Sequence, residues 1–443
     1  MRRDPGISTV DAPAPAPSPR VESVDALRGL TILLMVFVND LGPGSPSWMR
    51  HIEPSTADGM TLADVVFPWF LFIVGVSIPL AFERAFARGA TLWGEIGHIA
   101  ARTASLLLMG VVSLNGGANR STLGRYWGTA AFVAILLAWS VVPREPGPKR
   151  RALLGLKGVG AVGLLVLLAI YRRDPVTTAL PFVGSVEGWV WMRTGWWGIL
   201  GLIGWAYLTV AFLALWLGGR REWLAGALGC LILFHLSVNH QGGPFGRLDD
   251  KPWLSAVRPT LEWMERGFNG LNEYVNLGQC AGSLAAITMA GCLLGSILGR
   301  DSDVATPRAR VVWTLTFIIG LTLAGAFADT FEGINKIAAT PTWSLWSSAL
   351  AAAVWLTLYL LMDVAGRRGW SIVVRPAGAN PLVAFFLHPI LLSLIGAAGL
   401  WDILLGYKSS SAPAVVVAGS LAMALLVCAL TGLLARIGLR VKL

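Results

Sequence analysis

His51, Asp64, Asn39 and Asp40 are the residues of this chain best placed to do chemistry. Asn39 and Asp40 close one long apolar run, Asp64 opens the next, and His51 lies in the short polar connection between them, with Glu53 and Asp58. Carboxylates and amides at the ends of apolar runs must be hydrated or paired. A histidine in such a wetted pocket can take or give a proton near neutral pH. Each residue also has a plainer account. Asp64 falls in the first turn of a helix, where a carboxylate caps free N–H groups and complements the dipole, and a loop histidine is usually a solvated side chain. Capping explains Asn39 less well, because it sits a turn inside its run.

At the other end of the first run lie Asp25 and Arg28. They form either a boundary ion pair or lipid contact, or a site in which Arg28 meets the phosphates of a nucleotide-bearing donor, a role that guanidinium geometry suits. Toward the C-terminus, Asn335 and Lys336 precede another apolar run within a Gly- and Pro-bounded segment. Asn380 and His388 are eight residues apart, about two helical turns, so both can line one helix face. A buried structural histidine is the simpler account of His388, and His98, His235 and His240 are read as structural.

The elements that must position these groups are membrane spans. Of the 443 residues 55% are hydrophobic and 14% charged, against roughly 25% charged in a soluble domain. Mean hydropathy is +0.64. Twelve apolar runs, at about 26–41, 62–82, 103–118, 128–143, 152–170, 195–217, 222–238, 279–298, 310–328, 343–364, 379–397 and 412–435, approach the ~20 residues that a spanning helix needs. The expectation is an all-α polytopic membrane protein of ten to twelve helices, with residues 1–22 a disordered Pro/Ala-rich tail and 23–443 a single helical domain. Roughly two thirds of the 35 Lys and Arg fall in the termini and even-numbered connections. That bias places both termini in the cytoplasm and the His51 connection outside. Arg2 and Arg3 do not lead directly into an apolar core, so no cleaved signal peptide is expected.

Three connections stand out. The one holding PVTTALPFVGSVEGWVWM is read as re-entrant or interfacial. The segment from His240 to Gly278 and the one carrying Asp329, Glu332, Asn335 and Lys336 are long enough to do more than turn. The net charge of +10 is spread over short loops rather than gathered into a basic stripe with aromatics, which argues against nucleic-acid binding. Cys230, Cys280, Cys292 and Cys428 lie in or beside apolar runs without a CxxC, and read as packing thiols. No P-loop, HExxH, GxSxG or dinucleotide fingerprint has a supporting context. No His/Cys/Asp set has metal-ligand spacing, so no metal is expected.

Taken together, SVDALRGLTILLMVFVND, the histidine-bearing loop after it, GMTLADVVFPWFLFIVG, EYVNLGQCAGSLAAITMAGCLLGSILG, GINKIAATPTWSLWSSAL, LYLLMDVAGRRGW and RPAGANPLVAFFLHP resemble the heparan-α-glucosaminide N-acetyltransferase family and its bacterial relatives. The likeness covers about half the chain, at both ends, and 125–278 matches poorly. It implies a transmembrane acyltransferase that takes an acetyl group from cytoplasmic acetyl-CoA and delivers it to an amino sugar on the other side. His51 matches the family's active-site histidine, Asn39 its asparagine and Asp64 the aspartate of its ADxVFP motif. Asn335 and Lys336 match its NK pair, and Asn380 and His388 its C-terminal asparagine and histidine. The loop after His51 is longer here than in the mammalian enzyme and its residues differ, so sugar specificity does not carry over.

The leading expectation is therefore an acetyl-CoA-dependent O- or N-acyltransferase acting on an extracytoplasmic amino sugar, glycan or glycolipid, in the bacterial cytoplasmic (inner) membrane. His51, Asn39, Asp64 and Asp40 are its catalytic candidates, with His51 as general base or acetyl carrier. Arg28 and Asp25 are the donor-binding candidates, and Asn335, Lys336, Asn380 and His388 the acceptor-binding ones. Asn39 or Lys336 is a candidate for the oxyanion. Expected partners are the bilayer, the acyl-CoA donor, the acceptor and a second copy in a homodimer. The rival is a secondary transporter of a small polar or sugar-like solute, which should place its polar groups near the midplane on broken helices. A non-catalytic envelope scaffold is the weaker third reading.

Overall fold

The computed structural model describes residues 21–54, 56–117, 123–180, 184–241, 256–300 and 302–442. The expected tail lies outside these up to residue 20, and Glu22 already belongs to the first helix. In chain order the helices are α1 (Glu22–Asp40), α2 (Leu62–Ala87), α3 (Leu92–Asn115), α4 (Trp127–Ala138), α5 (Pro148–Ile170), α6 (Gly198–Leu217) and α7 (Arg221–Gln241). There follow α8 (Arg258–Val275), α9 (Leu284–Ser296), α10 (Pro307–Ala328), α11 (Pro341–Leu358), α12 (Arg375–Ala379), α13 (Pro381–Ala397), α14 (Trp401–Leu405) and α15 (Pro413–Ile437). A π turn, Gly278–Ser283, leads into α9, and another, Tyr359–Val364, extends α11.

The chain is a polytopic helical membrane protein. Among the described residues nine helices are long and apolar enough to cross a bilayer: α2, α3, α5, α6, α7, α9 and α11 with their π turns, α10 and α15. Each of the twelve expected runs coincides with a helix, but the count of twelve is not reached on length and composition. The apolar helices at Gly124–Ala138 and Pro381–Ala397 are shorter, and α1 carries Glu22, Asp25, Arg28 and Asp40 within its 19 residues.

The connection read as re-entrant or interfacial is a short β-hairpin in an otherwise helical chain. β1 (Val176–Leu180) pairs antiparallel with β2 (Gly184–Trp189), Val176 opposite Trp189 and Leu180 opposite Gly184. Its Val-Thr-Thr run favours a strand over a helix, because β-branched side chains fit a pleated surface. The connection from His240 to Gly278 is described from residue 256 on. It contains α8, whose Leu261, Met264, Phe268, Leu271 and Val275 recur at three- and four-residue spacing on one face.

The bundle is built around α9, where every residue from Leu284 to Gly295 is buried. α2 lies directly against it. A Cβ at Gly75 would collide with the Thr288 carbonyl, and one at Gly291 with the Phe72 carbonyl. Such backbone approach between spans requires small residues, since dispersion rather than the hydrophobic effect drives helix packing in lipid. α1 is held the same way, with Gly29 against the Val374 carbonyl and Gly378 against Gly29. Its first N–H groups, at Glu22 and Ser23, donate to the Asp363 carboxylate (3.2 and 3.1 Å), which supplies the missing helix-end partners from a distant segment.

Candidate active site

Helix α2 begins with a capping box. The Thr61 N–H donates to Asp64 Oδ2 (3.1 Å), and the Thr61 hydroxyl lies 2.9 Å from the same oxygen and 2.6 Å from the Arg50 carbonyl. Oδ2 also accepts the Ile52 N–H (3.2 Å), so the cap fastens the loop as well as the helix. The other oxygen, Oδ1, is 2.8 Å from His51 Nδ1. Asp64 is 1% exposed, whereas the His51 side chain is 40% exposed. A carboxylate only accepts, so this contact puts the imidazole proton on Nδ1 and makes Nε2 the acceptor.

Lys336 completes the cluster from the segment between α10 and α11. Its Nζ lies 3.4 Å from His51 Nε2, 3.0 Å from Nδ1 and 3.9 Å from Asp64 Oδ1. With Nδ1 already donating to Asp64, the lysine can donate only to Nε2. Burial pushes the Lys336 ammonium below its ordinary value, and the Asp64 charge partly opposes this. The segment is clamped to the His51 loop. Asn335 Nδ2 donates to the carbonyls of Pro54 (3.3 Å) and Ala57 (2.8 Å), and its Oδ1 accepts the Ala338 N–H (2.9 Å). Asp58 Oδ1 accepts the Ile334 N–H (2.7 Å), and the buried Trp343 indole donates to the Asp64 carbonyl (3.0 Å). Asn335 is thus committed to holding the loops, and Lys336 alone of the pair faces the histidine.

Asp40 belongs to a different cluster. Fully buried, it faces His388 Nε2 (2.9 Å from Oδ1), the Tyr407 hydroxyl (2.5 Å from Oδ2) and Lys408 Nζ (2.7 Å from Oδ1), which also donates to the Asp40 carbonyl (2.9 Å). Burial, with the hydrogen bond to Asp40 and its charge, raises the pKa of Tyr407, which stays a donor. Gly42 and Gly44 allow the Lys408 and Ser410 carbonyls to lie where Cβ atoms would otherwise sit. Asn380 and His388 do not meet: Asn380 donates to the Leu439 carbonyl (3.0 Å) and accepts the Val441 N–H (3.0 Å). His235, fully buried, joins α7 to the Gly278 carbonyl (2.8 Å) and meets Asn239 one turn on in the same helix (2.8 Å), whereas His98 is exposed.

Two cavities lie along α1. The first opens at His51, Lys336 and Asn39 and runs inward past Phe67. The second is lined by Arg28, Arg102, Lys442 and Ser77. They share Phe70, Leu200, Ile203, Pro381 and Leu382 as lining, so one apolar partition separates the histidine from the basic chamber. The first is tight, ≈ 50 Å³, and the second ≈ 280 Å³. Arg28 donates to Ser77 Oγ (3.1 Å) and to Asp25 Oδ1 (3.1 Å), and the Arg102 guanidinium lies 4.5 Å from the Tyr207 ring centre. Asp25 itself lines a separate recess with Glu22 and Arg375. Three cations around one chamber suit an anionic group such as a phosphate. Among the described residues no group of three or more His, Cys, Asp or Glu is placed to hold a metal ion.

Sequence reasoning did not assign Tyr407, Lys408, Arg102 or Lys442. A Tyr-Lys pair between glycine and serines in the connection before the last run is a signal for the first two. Arg102 and Lys442 counted only toward orientation.

Residues 20–121, which include Arg28, His51 and Asp64, match a family model described as Domain of unknown function (DUF5009). The chain is 41% identical over 97 residues to human (Homo sapiens) heparan-alpha-glucosaminide N-acetyltransferase, a match covering 22% of this chain and 14% of that protein. With the mouse (Mus musculus) protein of the same name it is 42% identical over 96 residues, again 22% and 14%. The matched segment is thus a small part of the relatives' own length, and it marks a distant relationship.

Proposed function

We propose that this protein is a membrane-embedded acyltransferase that moves an acetyl group from cytoplasmic acetyl-CoA to an amino sugar, glycan or glycolipid on the far side of the bilayer. The observation that carries the reading is the pair of cavities sharing one wall. An Asp64-oriented histidine opens one, and Arg28, Arg102 and Lys442 line the other. A donor with phosphates in the basic chamber would aim its thioester arm through the partition toward His51. The apolar partition between the two cavities keeps the thioester from water.

Asp64 holds the imidazole with Nδ1–H inward, so Nε2 acts. In direct transfer Nε2 takes the proton of the acceptor amine or hydroxyl as it attacks the thioester carbonyl, the C–S bond breaks and coenzyme A leaves as the thiolate. In the stepwise form Nε2 attacks the thioester carbonyl first, the C–S bond breaks and coenzyme A leaves as the thiolate; the acceptor then attacks the acetyl-imidazole, the C–Nε2 bond breaks and the acceptor's proton goes to solvent. The Lys336 ammonium and the Asn39 amide, both lining the cavity, are the donors suited to the oxyanion. The excess of Lys and Arg in the loops on the Arg28 side supports a cytoplasmic basic chamber, and a bacterial inner membrane is the proposed location.

Calorimetry of purified protein with coenzyme A and acetyl-CoA, followed by transfer of a radiolabelled acetyl group to amino sugars and envelope glycans, tests the proposal. Binding abolished by Arg28→Ala and transfer abolished by His51→Ala are expected. Absence of both binding and transfer in the wild type overturns the proposal. Ion-coupled uptake of a sugar-like solute into proteoliposomes without coenzyme A would establish a transporter instead.

A further inference from the structure

A second large cavity lies away from α1. α7 packs on α9 and α10 on α11, leaving between them a trough of ≈ 1260 Å³ floored by Leu293 and Leu345. Its walls are apolar from Leu228 to Leu236 on α7 and, Thr316 apart, from Trp313 to Ala328 on α10, with Arg221 and Glu222 lining one end. Phe327 and Leu233, at the rim, are 67% and 65% exposed. From Arg221 to Ser237 the α7 wall rises about 24 Å at 1.5 Å per residue, most of the ~30 Å hydrocarbon depth.

Two properties of this trough point to its occupant. It lies between spans within the hydrocarbon, so a hydrocarbon chain enters it without leaving lipid. Its far end is lined by Thr330 and Phe331, in the segment that carries Lys336 to His51. Phe331 and Lys336 are five residues apart, at most about 18 Å of chain, and that segment is fastened to the His51 loop through Ile334 and Asn335. A molecule with its tail in the trough therefore has its head on the side of the bundle that carries the imidazole.

We infer that the α7–α10 trough holds the hydrocarbon tail of the acceptor, which is an amino-sugar or glycan lipid rather than a free saccharide. This deepens the acyltransferase reading of the His51 centre and rests on it. The tail keeps the head group near the His51 mouth by raising its effective concentration there, without adding contacts at the reacting atoms. The trough is also shaped for a test, because a Cβ at Gly229 or at Gly320 meets nothing within 4 Å. Leucine at either position fills the channel from one wall without disturbing helix packing.

The full chain in phospholipid nanodiscs is photolabelled with a long-chain amino-sugar lipid bearing a diazirine in its tail. Saturable labelling of 225–237 and 313–331 is expected, with unlabelled amino-sugar lipid competing at least about tenfold better than a phospholipid of the same chains. Gly229→Leu and Gly320→Leu, on opposite walls, should each cut labelling about tenfold with coenzyme A affinity unchanged. Equal competition by phospholipid means that only bulk lipid sits there, and overturns the inference. So do labelling confined to other helices, or dissociation of a dimer by either variant, which would make a second copy the occupant. The competition arm uses wild-type protein, so a variant that fails to fold does not decide the matter. Trough labelling in a protein that neither binds coenzyme A nor transfers acetyl would sink the acyltransferase reading and leave the lipid site standing.

Discussion

His51 Nδ1 and Asp64 Oδ1 lie 2.8 Å apart, while the second oxygen of the same carboxylate caps α2. One side chain thus orients the imidazole and fixes the helix that carries it. Substitutions should separate these two roles. His51→Ala removes a ring that is 40% exposed, so melting temperature should change little while kcat falls by about 10²–10⁴. Asp64→Ala should cost a similar factor in rate and in addition about 1 kcal/mol for the lost cap, and more for the Ile52 and Thr61 N–H groups left unpaired. Asp64→Asn can satisfy the cap only by turning its NH₂ toward His51. That turn favours the tautomer with the proton on Nε2, and activity should be lost with stability largely kept. Steady-state rates alongside thermal unfolding in detergent check all three.

Lys336 makes the pH dependence asymmetric. Burial lowers the pKa of its ammonium from the ordinary 10.5, so between the lowered value and 10.5 the unfolded chain binds more protons than the folded one. Stability should therefore rise with pH across that window. Lys336→Met should abolish this slope and raise the melting temperature at neutral pH, because a half-buried, desolvated charge is replaced by an apolar chain. Thermal unfolding of wild type and variant across that window checks this, and an unchanged slope in the variant would remove Lys336 from the electrostatics of the site.

Arg28, Arg102 and Lys442 converge on one chamber from α1, α3 and the C-terminal segment. Arg102→Ala should weaken coenzyme A about tenfold and leave pantetheine binding nearly unchanged, since the guanidinium would meet phosphate rather than the arm. The affinity should also fall with added salt more steeply in the wild type than in the variant. Calorimetry with both ligands at two salt concentrations tests this. Equal loss for pantetheine would mean that the arginine shapes the chamber through its stack on Tyr207 instead.

The membrane class and the position of every apolar run were legible from composition and run length, because lipid imposes its spacing on any spanning helix. Asp64 was legible as a cap, and it caps α2, but which of the neighbouring groups orients His51 was not legible, and the geometry places Asp64 there. Asp40 was grouped with His51 because the two are neighbours in sequence. The helix turn at Asp40 instead presents it to His388 and Tyr407, more than 340 residues away. Such pairing depends on which helices pack together, and hydropathy does not encode that. The β-hairpin at Val176–Trp189 was hidden by an apolar composition that strand and span share.

Close packing of α2 on α9 gives a further test. Gly291→Ala adds one methyl where the Phe72 carbonyl already lies, and Gly75→Ala adds one against the Thr288 carbonyl. Neither neighbour is a side chain that can rotate away, so backbone must move. Each variant should lose about 1–3 kcal/mol, read as a lower melting temperature, whereas Gly229→Ala, facing open space, should be close to neutral. Because α2 carries Asp64, the two packing variants should also lower kcat without changing coenzyme A affinity.

The Asp40 cluster allows proton chemistry to be told from architecture. Removing the carboxylate alone, as in Asp40→Leu, leaves Lys408 facing a buried site without its counter-charge, and an uncompensated charge of this kind typically costs 3–5 kcal/mol. Lys408→Met alone leaves the carboxylate with His388 and Tyr407, and should cost less. The double variant removes both charges, and apolar replacement of a buried pair is often nearly neutral. Its melting temperature should therefore recover most of what Asp40→Leu loses, as a coupling measured by the double-mutant cycle. Transfer activity then separates the roles. Asn39, the preceding residue on α1, lines the His51 cavity, so a cluster that merely anchors the 406–410 segment should regain activity along with stability. If the double variant folds as well as the wild type yet transfers no acetyl group, the Asp40–Lys408 pair takes part in the reaction and does more than anchor the segment.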